Sequence, residues 1–159
     1  MKHTFIFFVL SLFSLNALPS DGTISIHISL SPVGSFKITS ENLKIKGLKK
    51  EGDLITAKKI STKKADLKTG IDLRDEHMKK RIKERTISVK NISAKNGKGS
   101  GEISINKIKK KISFNYNESD GKTKADFKLN LEEFGIKDIN YLGVGVNNNV
   151  DVQIELNTP

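Results

Sequence analysis

The chain of 159 residues carries three His, no Cys and no Trp, so few of its side chains are suited to bond chemistry. The absence of Cys removes disulfides, thiolate zinc sites, iron–sulfur clusters, Cys nucleophiles and a lipid-modified Cys anchor together. His77, within Arg74-Asp75-Glu76-His77-Met78, is the one His in a suggestive setting. It could hydrogen-bond the head group of a ligand, or it could fix a helix to its support, and the second reading is preferred. His27 lies far from it in sequence, and a metal site needs several converging ligands. Arg74 and Asp75 could pair locally; an exposed pair is worth only about 0–1 kcal/mol. Glu132-Glu133 could serve acid–base chemistry, yet they close an alternating stretch, where a solvated turn is the better reading. No G-x-S-x-G elbow or G-x-G-x-x-G loop occurs. Gly97–Gly101 shares only its glycine content with a phosphate loop. The residues predict no catalytic constellation, no metal site and no cofactor, which leaves a binding or structural protein.

The elements that position these residues read as strand after strand. Thr23–Leu30 places Ile24, Ile26, Ile28 and Leu30 on one face, the period of two of a half-buried strand. Phe36 and Ile38, Leu43 and Ile45, and Leu54–Ile60 continue the pattern, with Glu51-Gly52-Asp53 as a turn. Ile87–Ala94 alternates with a slip near Asn91 that predicts a bulge. Gly97–Gly101 reads as a hairpin loop and Asn117–Gly121 as another. Ile103 and Ile105, then Ile112, Phe114 and Tyr116, give two more faces. Ala125, Phe127, Leu129 and Leu131 alternate, as do Val150, Val152, Ile154 and Leu156. Only Asp72–Glu84 lacks a β pattern. It predicts a short helix capped by Asp72 and docked through a narrow stripe of Ile71, Met78 and Ile82. About eight antiparallel strands and one short helix imply an all-β barrel, which closure frees of edges. Such a barrel can be filled by its own side chains or can hold one ligand, and both remain open here.

The amino terminus reads as a signal peptide: Lys2, the apolar run Phe5–Leu15, then a cut between Ala17 and Ser20. The run is far shorter than the roughly 20 residues of a membrane span. The expected division is thus residues 1–17 as signal and 21–159 as one barrel domain. The formal charge of +10 comes from Lys spread along the chain, and aromatic residues make up only 6%. That combination predicts solvated outer faces and a possible attraction to anionic membrane surfaces, and no nucleic-acid partner.

Leu67–Met78 (LKTGIDLRDEHM), Phe127–Gly145 (FKLNLEEFGIKDINYLGVG), the terminal VDVQIEL and SPVGSFK at Ser31–Lys37 together resemble the YceI-like family. Its strand-end Thr and R-D-x-H-[LM] element fall on Thr69, Arg74, Asp75, His77 and Met78. The family's corner falls on Glu133, Phe134, Gly135 and Ile136. Arg85–Val89 departs from the family's Pro-containing strand, and Gly101–Lys110 matches its central motif loosely. The resemblance implies an antiparallel, lipocalin-like eight-stranded barrel, usually exported, periplasmic before secreted, with a dimer as the assembly the family suggests. Its tunnel would hold a polyisoprenoid, a quinone or another long-chain lipid without bond chemistry. The apolar lining expected here comprises Ile26, Ile28, Phe36, Met78, Ile82, Phe114, Phe127, Leu129, Phe134 and Tyr141. The alternative is a structural or interaction protein of the cell envelope, with a filled barrel and a basic surface.

Overall fold

The computed structural model describes residues 22–141 and 143–157. The proposed signal peptide lies outside them. Among the described residues eleven strands form: β1 (Gly22–Ser31), β2 (Ser35–Lys46), β3 (Lys49–Glu51), β4 (Leu54–Lys63), β5 (Thr86–Lys95), β6 (Lys98–Ile105), β7 (Ile108–Ser119), β8 (Lys122–Asn130), β9 (Asn140–Tyr141), β10 (Val144–Val146) and β11 (Asn149–Asn157). One α-helix, α1 (Asp72–Arg81), lies between β4 and β5. Hydrogen bonding runs β11-β8-β7-β6-β5-β4-β2-β1, and β1 pairs with β11 to close an antiparallel barrel of eight strands. The expected fold class is therefore the one the chain adopts. β3 pairs with the start of β4 along the edge that β2 occupies further on, and β9 with β10 forms an annex on the end of β1.

Period-two alternation sends the apolar set inward, as the pleat requires. Ile28, Val89, Ile103, Ile112, Phe127, Leu129, Val150, Val152, Ile154 and Leu156 are all buried. The slip near Asn91 is a bulge: Asn91 has φ 52° and the β5–β6 register shifts between Lys90 and Ser93. The bulge lets both Val89 and Ile92 turn inward over one position of β6. That position is Gly101, where an added Cβ would lie 2.8 Å from Val89 and 3.3 Å from Ile92.

Three local expectations change. Gly97–Gly101 is not a loop: β6 begins at Lys98, because Gly99 and Gly101 make room for side chains of neighbouring strands. The turn at Asn117–Gly121 shrinks to Asp120-Gly121, both at positive φ, with Ser119 paired to Lys122. The helix ends at Arg81, its N-cap is Ile71 with no side-chain cap, and Ile71 is 50% exposed. The expected docking stripe loses Ile71, and the buried residue of α1 is Asp75. The first turn is fixed by a hydrogen-bonded carboxylate instead of an apolar contact.

Candidate ligand-binding site: the barrel interior and its two ends

One end of the barrel is closed. Phe134 sits in the 3-10 turn Leu131–Phe134 and is 1% exposed, while Leu67, Ile82 and Ile136 are buried in the same core as Ile28 and Leu129. Met78 packs against that core from α1. Polar side chains that reach backbone groups hold the cover in place. The Thr69 N–H and hydroxyl donate to the Asp75 carboxylate at 2.7 and 2.6 Å. Lys64 Nζ donates to the Ile82 carbonyl at 2.7 Å, and Arg81 to the Lys137 carbonyl at 2.9 Å. Asn106, at φ 54° in the two-residue turn between β6 and β7, joins three segments. Its amide donates to the Arg81 and Phe134 carbonyls, both at 3.1 Å, and its oxygen accepts from the Lys83 N–H at 2.7 Å.

The Asp75 carboxyl titrates below its ordinary value of 3.8. The Thr69 hydroxyl is the main cause, opposed by burial and helped by the Thr69 N–H, Lys68 and Lys79. The Arg74 guanidinium lies 4.2 Å from the centroid of the Phe36 ring, a cation–π contact between α1 and β2. Thr69, Arg74 and Asp75 thus tie the helix to the barrel, while His77, expected to help fix it, is exposed.

Among the described residues the other end carries no helix. Short hairpins β3–β4, β5–β6 and β7–β8 end there, with Gly52, Asn96, Gly97, Asp120 and Gly121 at positive φ. Exposed ion pairs stitch its outer wall: Lys50–Glu118 at 2.7 Å and Lys124–Glu155 at 3.3 Å. Lys122, then Lys124, hold the Glu155 carboxyl below its ordinary value. Inside this end lies an apolar cavity of about 50 Å³. Its lining includes Ile55, Ala57, Ala94, Phe114, Phe127 and Leu156, with Leu48, Tyr116 and Thr123.

Of the expected lining residues, Phe114 and Phe127 face this cavity. Ile28, Ile82, Leu129 and Phe134 are buried in the core; Ile26, Phe36 and Met78 are half-buried against it. The backbone of Tyr141 belongs to β9, and its side chain lies outside the described residues. Sequence reasoning missed Asn106. The signal was the Asn-Lys pair between Ile105 and Ile108, a two-residue hairpin turn whose first position favours Asn. It also missed Leu67, 1% exposed, whereas Leu43, read as part of an apolar strand face, is buried to the same degree. Among the described residues no cluster of three or more acidic or His side chains could hold a metal ion. Polar groups in the interior satisfy one another, as where the Thr62 hydroxyl donates to Ser40 at 3.1 Å.

A closed antiparallel barrel with an apolar interior, one end sealed by a short helix, defines a lipocalin-like architecture. A family model for the YceI-like domain matches residues 15–158, and the chain belongs to that family. BcnA of Burkholderia cenocepacia is similar in fold, with a TM-score of 0.57 at 10% identity over 84% of this chain and 94% of that one. A polyisoprenoid-binding domain from Saccharophagus degradans, implicated in plant cell wall breakdown, has a TM-score of 0.57 at 10% identity. That match covers 89% of this chain and 96% of the other. No curated protein matches the sequence.

Proposed function

We propose that the protein is a non-catalytic carrier that holds the chain of a polyisoprenoid, or a similar long amphiphile such as a quinone, inside the barrel. The observation that carries this reading is the apolar cavity at the end without a helix, set in a core with no buried ionisable side chain facing it. Family membership and the polyisoprenoid-binding neighbour support it. Burial of a prenyl chain contributes about 25 cal/mol per Å² of apolar surface removed from water, so several isoprene units outweigh association costs without any bond chemistry. The cavity of about 50 Å³ is smaller than the roughly 300–1,000 Å³ of a ligand pocket. A chain therefore enters only if lining side chains such as the half-buried Phe114 move. Export behind a signal peptide, to the periplasm first and the medium second, accompanies this reading, as do anionic membrane surfaces and a possible dimer.

One observation favours the second reading, an envelope protein with a filled barrel: the small cavity itself. Organic extraction of the purified protein followed by mass spectrometry separates the two. The carrier yields a stoichiometric long-chain lipid. The filled barrel yields none, even after incubation with excess polyprenol.

A further inference from the structure

We propose that the amphiphile's chain passes into the barrel sideways, through a seam between β7 and β8 gated by Phe114 and Phe127, and that its head, an anionic phosphate ester, stays in a polar depression outside. This inference rests on the carrier reading above.

The β7–β8 ladder runs from Ser119↔Lys122 to Asn115↔Asp126 and stops. Both strands continue: β7 to Ile108, bonded to β6 on its far side, and β8 to Asn130, bonded to β11. The register pairs no residues of these two strands beyond that point, and the first pair missing from it is Phe114 and Phe127. These two residues line the inner cavity, and they also line an outer depression of about 870 Å³. The wall between inside and outside is there no thicker than this pair. Beyond the gap the 3-10 turn Leu131–Phe134 closes in again, with Glu133 4.0 Å from Lys110.

The gate needs no backbone hydrogen bond to break. The Phe114 ring lies over Gly99 of β6, where an added Cβ would sit 2.3 Å from its Cε2 and Cζ. It is therefore parked on the side of β7 away from β8, in the space a side chain at 99 would fill. Ring rotation alone changes the width of the seam. Outside, Lys37, Lys98, His27, Ser25, Ser113 and Asn115 line the depression. Its two carboxylates are engaged by neighbours: Asp151 pairs with Lys128 at 3.0 Å and Asp126 accepts from Gln153 at 2.9 Å. Cations and neutral donors suit a phosphate oxygen.

The chain has no Cys, so single thiols can be placed cleanly. Ser113→Cys and Lys128→Cys flank the seam, and Ser119→Cys sits at the open end; each is modified with a bulky maleimide-polyethylene glycol. Uptake of tritiated farnesyl phosphate is followed by rapid filtration, with farnesol as the head-free comparison. Against the same thiol variants without adduct, and for farnesol as well as farnesyl phosphate, adducts at 113 and 128 slow uptake at least tenfold, while the adduct at 119 leaves it unchanged. Gly99→Ala, which drives the Phe114 ring toward β8, slows it as well. Slowing confined to the adduct at 119, or equal rates for all three, overturns the lateral passage. Farnesol bound as tightly as farnesyl phosphate overturns the head site and leaves the carrier reading standing. Uptake of neither probe by unmodified protein overturns the carrier reading itself.

Discussion

The closed and open ends of the barrel are built by different chemistry. The closed end is assembled from segments far apart in the chain, 64–82, 106 and 131–137, tied by side chains that bond to backbone groups. The open end is made of local hairpins whose turns use Gly, Asn and Asp at positive φ, with exposed ion pairs along the wall. Hairpin turns of this kind need only neighbouring residues. A polar side chain that satisfies distant carbonyls specifies which segment sits where, and losing it leaves those groups without partners. The fold thus spends its non-local specificity on one end and leaves the other end compliant.

Substitutions can break or sharpen that contrast. Phe134→Ala empties the most enclosed aromatic site and should cost about 3–5 kcal/mol in urea unfolding. Phe114→Ala, half-buried at the open end, should cost about 1–2 kcal/mol; equal losses would mean that the two ends are packed alike. Asn106→Ala removes three bonds at once and places a Cβ residue without local hydrogen bonding at positive φ, for a loss of about 2 kcal/mol. Asn106→Gly should recover part of this, because glycine accepts that backbone freely. A Gly variant no more stable than the Ala variant would assign the whole effect to the bonds.

Acid should act on the closed end first. Asp75 has its folded-state pKa depressed, so its contribution is present above the ordinary value of 3.8 and is lost as pH falls through the lower folded value. Wild type should lose stability below pH 3.8 more steeply than Asp75→Asn, and protease cleavage within α1 should rise over the same range. Parallel acid limbs for the two proteins would remove Asp75 as the anchor. The smallest effect belongs to the open end. Lys50→Ala breaks its pair with Glu118, and the change should stay under about 0.5 kcal/mol and vanish in high salt.

The strands were legible because each carries its own period-two signal. Phe127 and Leu129 on β8, and Val150 to Leu156 on β11, needed no knowledge of their partners. Gly99 and Gly101 misled because a glycine in a strand looks like a loop until the Phe114 ring or the Val89–Ile92 bulge is set against it. Asp75 read as a local partner of Arg74, and its real partner, Thr69, precedes the helix. Asn106 was legible as the Asn of a two-residue turn, but its three partners come from segments 23 to 28 residues away, which no local pattern names. The size of the interior was not legible at all. Volume depends on how every inward side chain packs, which no single strand records.

The first and last strands are hydrogen-bonded neighbours, with Gly22 opposite Leu156 and His27 opposite Asp151. β11 also pairs along its whole length with β8. Until that final stretch is available, both β1 and β8 keep a bare edge, and no subset of strands can complete the ring. The decisive pairings therefore span nearly the full length of the chain, the costliest kind to form early. The ring therefore waits for β11 before it can close. The delay places the risk of strand-to-strand aggregation in the moments just before completion.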